Sequence, residues 1–244
     1  MSDSIYDTLK KALEEKIISH DLADQPIDIT CKALSALEAI GTPEHDDYPI
    51  IKGREVMVEA DFLTAKGQSF TDEFENRAYR VKDLLSMELS GDLSTNRKRA
   101  SFIAGLNAVY RHLGLVDKTI HCKDKEPVLC AEQLSDIIPK DSKVLLVGHQ
   151  PRFLEKLASY CQVRAVDLDE DNIGKKFFTV TIESAANTQD AINWCDRIFA
   201  TGSTIVNNTI SNFIDAGKPA VFYGVTITAP AKILNLITFC EYGH

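Results

Sequence analysis

The stretch from Arg197 to Gly224, RIFATGSTIVNNTISNFIDAGKPAVFYG, constrains the fold more than any other. It reads as an apolar run, a small polar turn, a helix over Ile205 to Ala216, a Gly-Lys-Pro turn and a second apolar run. That order predicts a strand–helix–strand unit with its two strands parallel. The turn Thr201-Gly202-Ser203-Thr204 falls where the carboxyl end of a strand meets the amino end of a helix. Open α/β sheets bind ligands there, and free N–H groups at a helix start favour an anion.

More strands of this kind precede and follow. Lys143 to Val147 (KVLLV) and Val163 to Val166 are short apolar runs, and Phe177 to Ile182 is a weaker one. Pro151 suits the first turn of a helix carrying Phe153, Leu154 and Leu157. Thr188 to Trp194 reads as a short helix, and Lys232 to Cys240 as a final helix or strand. Apolar strands joined by helical crossovers within about a hundred residues describe a doubly wound parallel sheet.

The amino half follows a different pattern. A helix spans Ser4 to His20, with Ile5, Leu9, Leu13 and Ile17 on one stripe. Extended segments at Ile27 to Ile40 and Val56 to Phe62 flank a turn-rich stretch and suit a small antiparallel sheet. A short helix is expected at Val81 to Glu88. The best helix begins near Ser94 or Asn96, buries Phe102, Leu106, Val109 and Leu113, and ends at Gly114, the residue type favoured at a left-handed C′ position. Its small residues Ala100, Ala104, Gly105 and Ala108 predict close packing. A connector follows, with a short helix at Glu132 to Ile138. These breaks divide the 244 residues into an α+β domain (1–115), a connector (116–141) and an α/β domain (142–244).

Composition narrows the partners. A formal net charge of −9 and a pI near 5.2 argue against nucleic acid and anionic membranes. No apolar run approaches the ~20 residues of a membrane span, and the amino-terminal helix has no signal-peptide core, so a cytoplasmic location is expected. Six cysteines are scattered without a C-x-x-C pair, which predicts buried thiols. His121 and Cys122 with Cys130, and Cys240 with His244, fall short of four metal ligands at an established spacing. A small molecule or metal is the expected partner, and self-association stays open.

Three strand-end loops collect the candidate ligand-binding residues. Gly148-His149-Gln150-Pro151 holds the place of a dinucleotide fingerprint without its glycines. His149 there can be an acid, a base or a metal ligand, or a polar loop residue bonded to backbone. Asp167 opens an acidic run, Asp167 to Asp171; it can take ribose hydroxyls or share a cation, while its neighbours read as a solvated turn. Thr201, Gly202, Ser203 and Thr204 are followed by Asn207 and Asn208, amides where good helix formers would otherwise serve. Gly224 ends the next strand.

The carboxyl half resembles a heavy-metal chelation family that joins an enolase-N-terminal-like domain to a Rossmann-like domain. The resemblance rests on VLLVGHQP (144–151), VDLDEDNIG (166–174), FATGSTIVNNTI (199–210) and VFYGVT (221–226). RASFIAGLNAVYRHLG (99–114) is similar to the helix that closes the family's first domain. The resemblance implies a site in the cleft between the two domains, and the expected occupant of that cleft is a small anionic ligand or a metal complex of one. His149 and Asp167 are the metal candidates, and a divalent metal the candidate cofactor. The alternatives are an enzyme using a nucleotide-like cofactor such as S-adenosylmethionine, and an interaction subunit whose loop is structural.

Overall fold

A computed structural model describes residues 4–32, 41, 42, 45, 47, 48 and 55–244. It is a mixed α/β structure with two sheets. The first is antiparallel, in the order β3-β2-β1-β4, from β1 (Pro26–Lys32), β2 (Val56–Phe62), β3 (Ala65–Thr71) and β4 (Arg77–Arg80). Most of the expected segment beyond Lys32, to Ile40, lies outside the described residues, as does part of the turn-rich stretch after it. Helix α1 (Ile5–Ser19) starts with a reciprocal cap between Ser4 and Asp7 and buries Tyr6, Leu9, Leu13 and Ile17. The expected helix at 81–88 is a 3-10 segment, Val81–Ser86.

Helix α2 (Asn96–His112) packs on β2 and β3. Phe102, Leu106 and Val109 are fully buried, and Gly114 takes φ +66° as expected of its position. Neither Ser94 nor Asn96 caps it; the preceding residue is Thr95, which makes no capping bond, and Asp92 instead caps the 3-10 turn just before. The small residues of α2 have the predicted use. A Cβ on Gly67 of β3 would stand 2.3 Å from both the Ala104 oxygen and the Ala108 nitrogen, so strand and helix touch backbone to backbone.

After α3 (Glu126–Glu132), which starts earlier than the Glu132–Ile138 helix expected there, comes the second sheet. Its strands are β5 (Lys143–Val147), β6 (Gln162–Asp167), β7 (Lys176–Phe177), β8 (Val180–Ser184), β9 (Arg197–Thr201), β10 (Ala220–Tyr223) and β11 (Ile237–Phe239). They lie in the order β11-β10-β9-β5-β6-β8-β7, and all pairings are parallel except the β7–β8 hairpin at one edge. Counting parallel strands in chain order gives 3-2-1-4-5-6, the doubly wound order of dinucleotide-binding sheets.

Alternating side chains split the sheet between two layers. Val144, Leu146, Phe199 and Tyr223 meet α3 and α4 (Pro151–Ala158). Leu145, Val147, Ile198, Ala200 and Phe222 belong to a second core with α5 (Thr188–Trp194), α6 (Ser211–Ile214) and α7 (Thr228–Leu234), and that core runs on through α1 and α2 into the antiparallel sheet. No helix among the described residues is long and apolar enough to cross a membrane.

Candidate functional site

The chain reverses direction across the sheet between β5 and β9, and the loops after these strands converge there. Gly148 takes φ +84°, and a side chain there would also meet the Thr201 methyl at 2.9 Å and the Tyr223 hydroxyl at 3.2 Å. That hydroxyl donates to the oxygens of Val147 (2.9 Å) and Gly148 (3.0 Å), which fixes the loop from below. Gln150 caps α4 by accepting the Phe153 N–H at 2.6 Å. His149 is buried with its ring 4.5 Å from that of Phe177, on the β7 edge.

Asp167, at the end of β6, joins two loops. Its Oδ2 accepts the His149 N–H at 2.8 Å and its Oδ1 the Asp169 N–H at 2.9 Å. Asp169 in turn accepts the Asp171 N–H at 2.9 Å, so part of the acidic run does shape a turn.

The third loop corrects an expectation. In place of one helix over Ile205–Ala216 there is a 3-10 turn, Gly202–Ile205, and the single-turn α6. The cause is the asparagine pair. Asn207 Oδ1 accepts from the Thr209 N–H (3.3 Å) and hydroxyl (2.6 Å), and Asn208 takes φ +60°, which an α-helix cannot include. The helix-dipole argument for an anion therefore falls away, since no long helix starts here.

These loops, with the end of β3 and the turn before α2, enclose a cavity of about 660 Å³. Gly148, His149, Asp167, Thr201, Ser203, Thr204, Asn207 and Gly224 line it. Gly202 and Asn208 do not. A Cβ on Gly202 would stand 2.8 Å from that of Ile227, so its smallness serves packing and not ligand access. The Asn208 amide instead donates to the Gly91 oxygen at 3.4 Å.

Other lining residues gave no signal along the chain. Glu55, in the turn-rich stretch, and Asp72, after β3, add to Asp167, Asp169, Glu170 and Asp171, making six carboxyl groups among the described residues. Burial first, then the charges of Asp167 and Asp169, push the Glu55 carboxyl up to about 7. Cys122 and Cys130, which the sequence groups, and the distant Cys240 line the same space, and burial raises all three thiols. Burial also pushes His121 down to about 4, and its Nδ1 sits 2.6 Å from the Cys122 oxygen. His244, paired with Cys240 by spacing alone, lies 3.1 Å from Glu126. Among the described residues no three His, Cys, Asp or Glu side chains are gathered closely enough to hold a metal ion.

The amino half also fixes the wall. Arg99 of α2 is fully buried and donates to the oxygens of Leu89, Gly91, Asp92 and Val206 and to Asn96 Oδ1, while the Asn96 amide donates to Asp72 at 2.8 Å. Asn107 bridges the oxygens of Gln68, Val225 and Thr226 and accepts the Ala229 N–H. The Tyr6 hydroxyl donates to the Ile205 oxygen at 2.6 Å.

Comparison with known proteins adds a family to this geometry. Residues 133–234 match the model of DUF364, described as "Putative heavy-metal chelation". The match covers β5 to α7, the layer that carries the three strand-end loops. Two crystal structures of DUF364 proteins of unknown function share the fold. The one from Pyrococcus horikoshii is 14% identical with a TM-score of 0.53, covering 91% of this chain and 79% of its own. The one from Desulfitobacterium hafniense is 13% identical with a TM-score of 0.50, covering 89% and 78%. No curated protein matches.

Proposed function

We propose that this protein binds a small cationic ligand, a metal already held in a complex or an organic cation, in the cavity between its two sheets. The reading takes residues 1–115 and 142–244 as two domains joined by 116–141. The observation that carries it is the six carboxyl groups of the lining, among which burial first, and then the charges of Asp167 and Asp169, push Glu55 up to about 7. A cation relieves that crowding and a free anion adds to it. The expectation of an anionic ligand gives way on this ground. A bare ion fits poorly, because the donors are not gathered into a chelating set and the thiols are held protonated by burial. A complex that arrives with its own ligands needs only outer contacts, and Thr201, Ser203, Thr204 and Asn207 offer hydroxyl and amide groups for them. The family description, heavy-metal chelation, agrees with a metal complex as cargo.

Native mass spectrometry with metal analysis, on untagged protein, tests the reading. A co-purified cation or metal complex that is lost in the Asp167→Asn/Asp169→Asn variant is the expected result. A co-purified oxyanion that the same variant holds more tightly would overturn it.

A further inference from the structure

One part of the cavity has a chemistry that the acids do not explain. Leu168 is 49% exposed although apolar, and it lines the cavity directly after Asp167. Ala185 and Thr188, following the end of β8, line it too. Strands β6 and β8 are neighbours in register, with Asp167 opposite Ser184, so the residues beyond both strand ends flank one slot. Leu168 and Ala185 add apolar side chains to the lining beside the Asp167 carboxylate, and Leu168 is open to solvent. Flat, weakly polar rings with an attached diol fit such a place.

We infer that this slot is a subsite for a ribonucleoside, and that the nucleoside carries its positive charge at the 5′ end. The inference rests on the cationic reading above and names the class of cation. In a sheet of this strand order, the acid ending the second parallel strand takes ribose hydroxyls, about 20 residues after the first glycine. Asp167 ends that strand, and Gly148 directly follows the first. Its carboxylate is already aimed by the His149 N–H and the Asn172 amide on Oδ2 and by the Asp169 N–H on Oδ1, and Oδ1, with one donor, keeps acceptor capacity for a hydroxyl. Leu168 then gives the base an apolar face.

The first loop excludes the usual phosphates. A pyrophosphate needs glycine backbone and a run of free N–H groups. Here Gln150 spends its side chain on capping α4, Pro151 has no N–H, and the His149 N–H is given to Asp167. Asp167, Asp169 and Glu55 would also repel phosphate. A nucleoside without phosphate remains, its 5′ cation directed at these carboxyls, as in a sulfonium nucleoside.

Equilibrium dialysis with S-adenosylmethionine, adenosine, AMP and hexaamminecobalt(III) tests this. The expected order is S-adenosylmethionine tighter than adenosine, with AMP weakest. Asp167→Asn, close in size but with one acceptor oxygen in place of two, should weaken S-adenosylmethionine by roughly tenfold or more, the scale of a hydrogen bond to a charged group. Leu168→Ser, at an exposed position, should weaken adenosine and leave hexaamminecobalt(III) unchanged; thermal melts confirm that both variants fold. If hexaamminecobalt(III) binds and neither nucleoside does, the subsite is wrong and the cationic reading stands. If AMP binds more tightly than adenosine, both fail.

Discussion

Two buried polar regions of this molecule lie side by side and are built on opposite principles. Along α2, the Arg99 guanidinium and the Asn107 amide spend their hydrogens on main-chain oxygens and on Asn96, and no carboxylate is needed to hold them. Across the cavity wall six carboxyl groups share one lining, and burial first, then the charges of Asp167 and Asp169, push Glu55 toward neutrality. The first arrangement stabilises a fold, because every acceptor would otherwise lose a partner when buried. The second costs stability, and sites that bind ligands are where such costs concentrate. The two are coupled: through Val206 and Asn96, Arg99 fixes opposite parts of the cavity rim.

If the α2 region is structural, its substitutions should be felt in unfolding. Arg99→Leu leaves several carbonyl oxygens without donors and should cost roughly 3–5 kcal/mol in denaturant titrations. A cost under about 1 kcal/mol would mean that water replaces the guanidinium. Leu106→Ala, at a fully buried position, should cost about 2–5 kcal/mol by the same measurement. A change below about half a kcal/mol would place that face outside the core.

The cavity side should respond in the opposite direction. Folding raises the Glu55 carboxyl from 4.5 to about 7, so its ionised form opposes the folded state. Its contribution is intact below the unfolded pKa and declines as pH rises from 4.5 toward 7, by at most about 3 kcal/mol. Glu55→Gln should flatten that part of the stability–pH curve, read from thermal melts between pH 4 and 8. The smallest effect is expected for Asn207→Leu. It keeps the size and removes the amide, so stability should change by less than about 1 kcal/mol if Thr209 turns to water. A loss equal to that of Leu106→Ala would make Asn207 a structural residue.

The doubly wound sheet was legible because its strands are short apolar runs bounded by turn residues, and KVLLV, RIFAT and AVFY all became strands. The βαβ reading of 197–224 kept its two parallel strands and lost its helix. Asn207 and Asn208 were read there as ligand contacts, when their first effect is to break the helix. The strand-end loops could be found from position alone. The acidic run after β6 was found in the same way, but the addition of Glu55 and Asp72 was not, because they flank strands of the other sheet and join the Asp167 lining only through tertiary folding. Cys240 was separated from Cys122 and Cys130 for the same reason: their meeting depends on the end of β11 returning beside the connector.

Titration calorimetry with hexaamminecobalt(III) and with inorganic phosphate, at pH 8 where Glu55 is ionised, tests the charge of the cavity most directly. Saturable one-site binding of the cation, abolished in the Asp167→Asn/Asp169→Asn variant and absent for phosphate, is the predicted result. Phosphate binding at one site with no binding of the cation would contradict it.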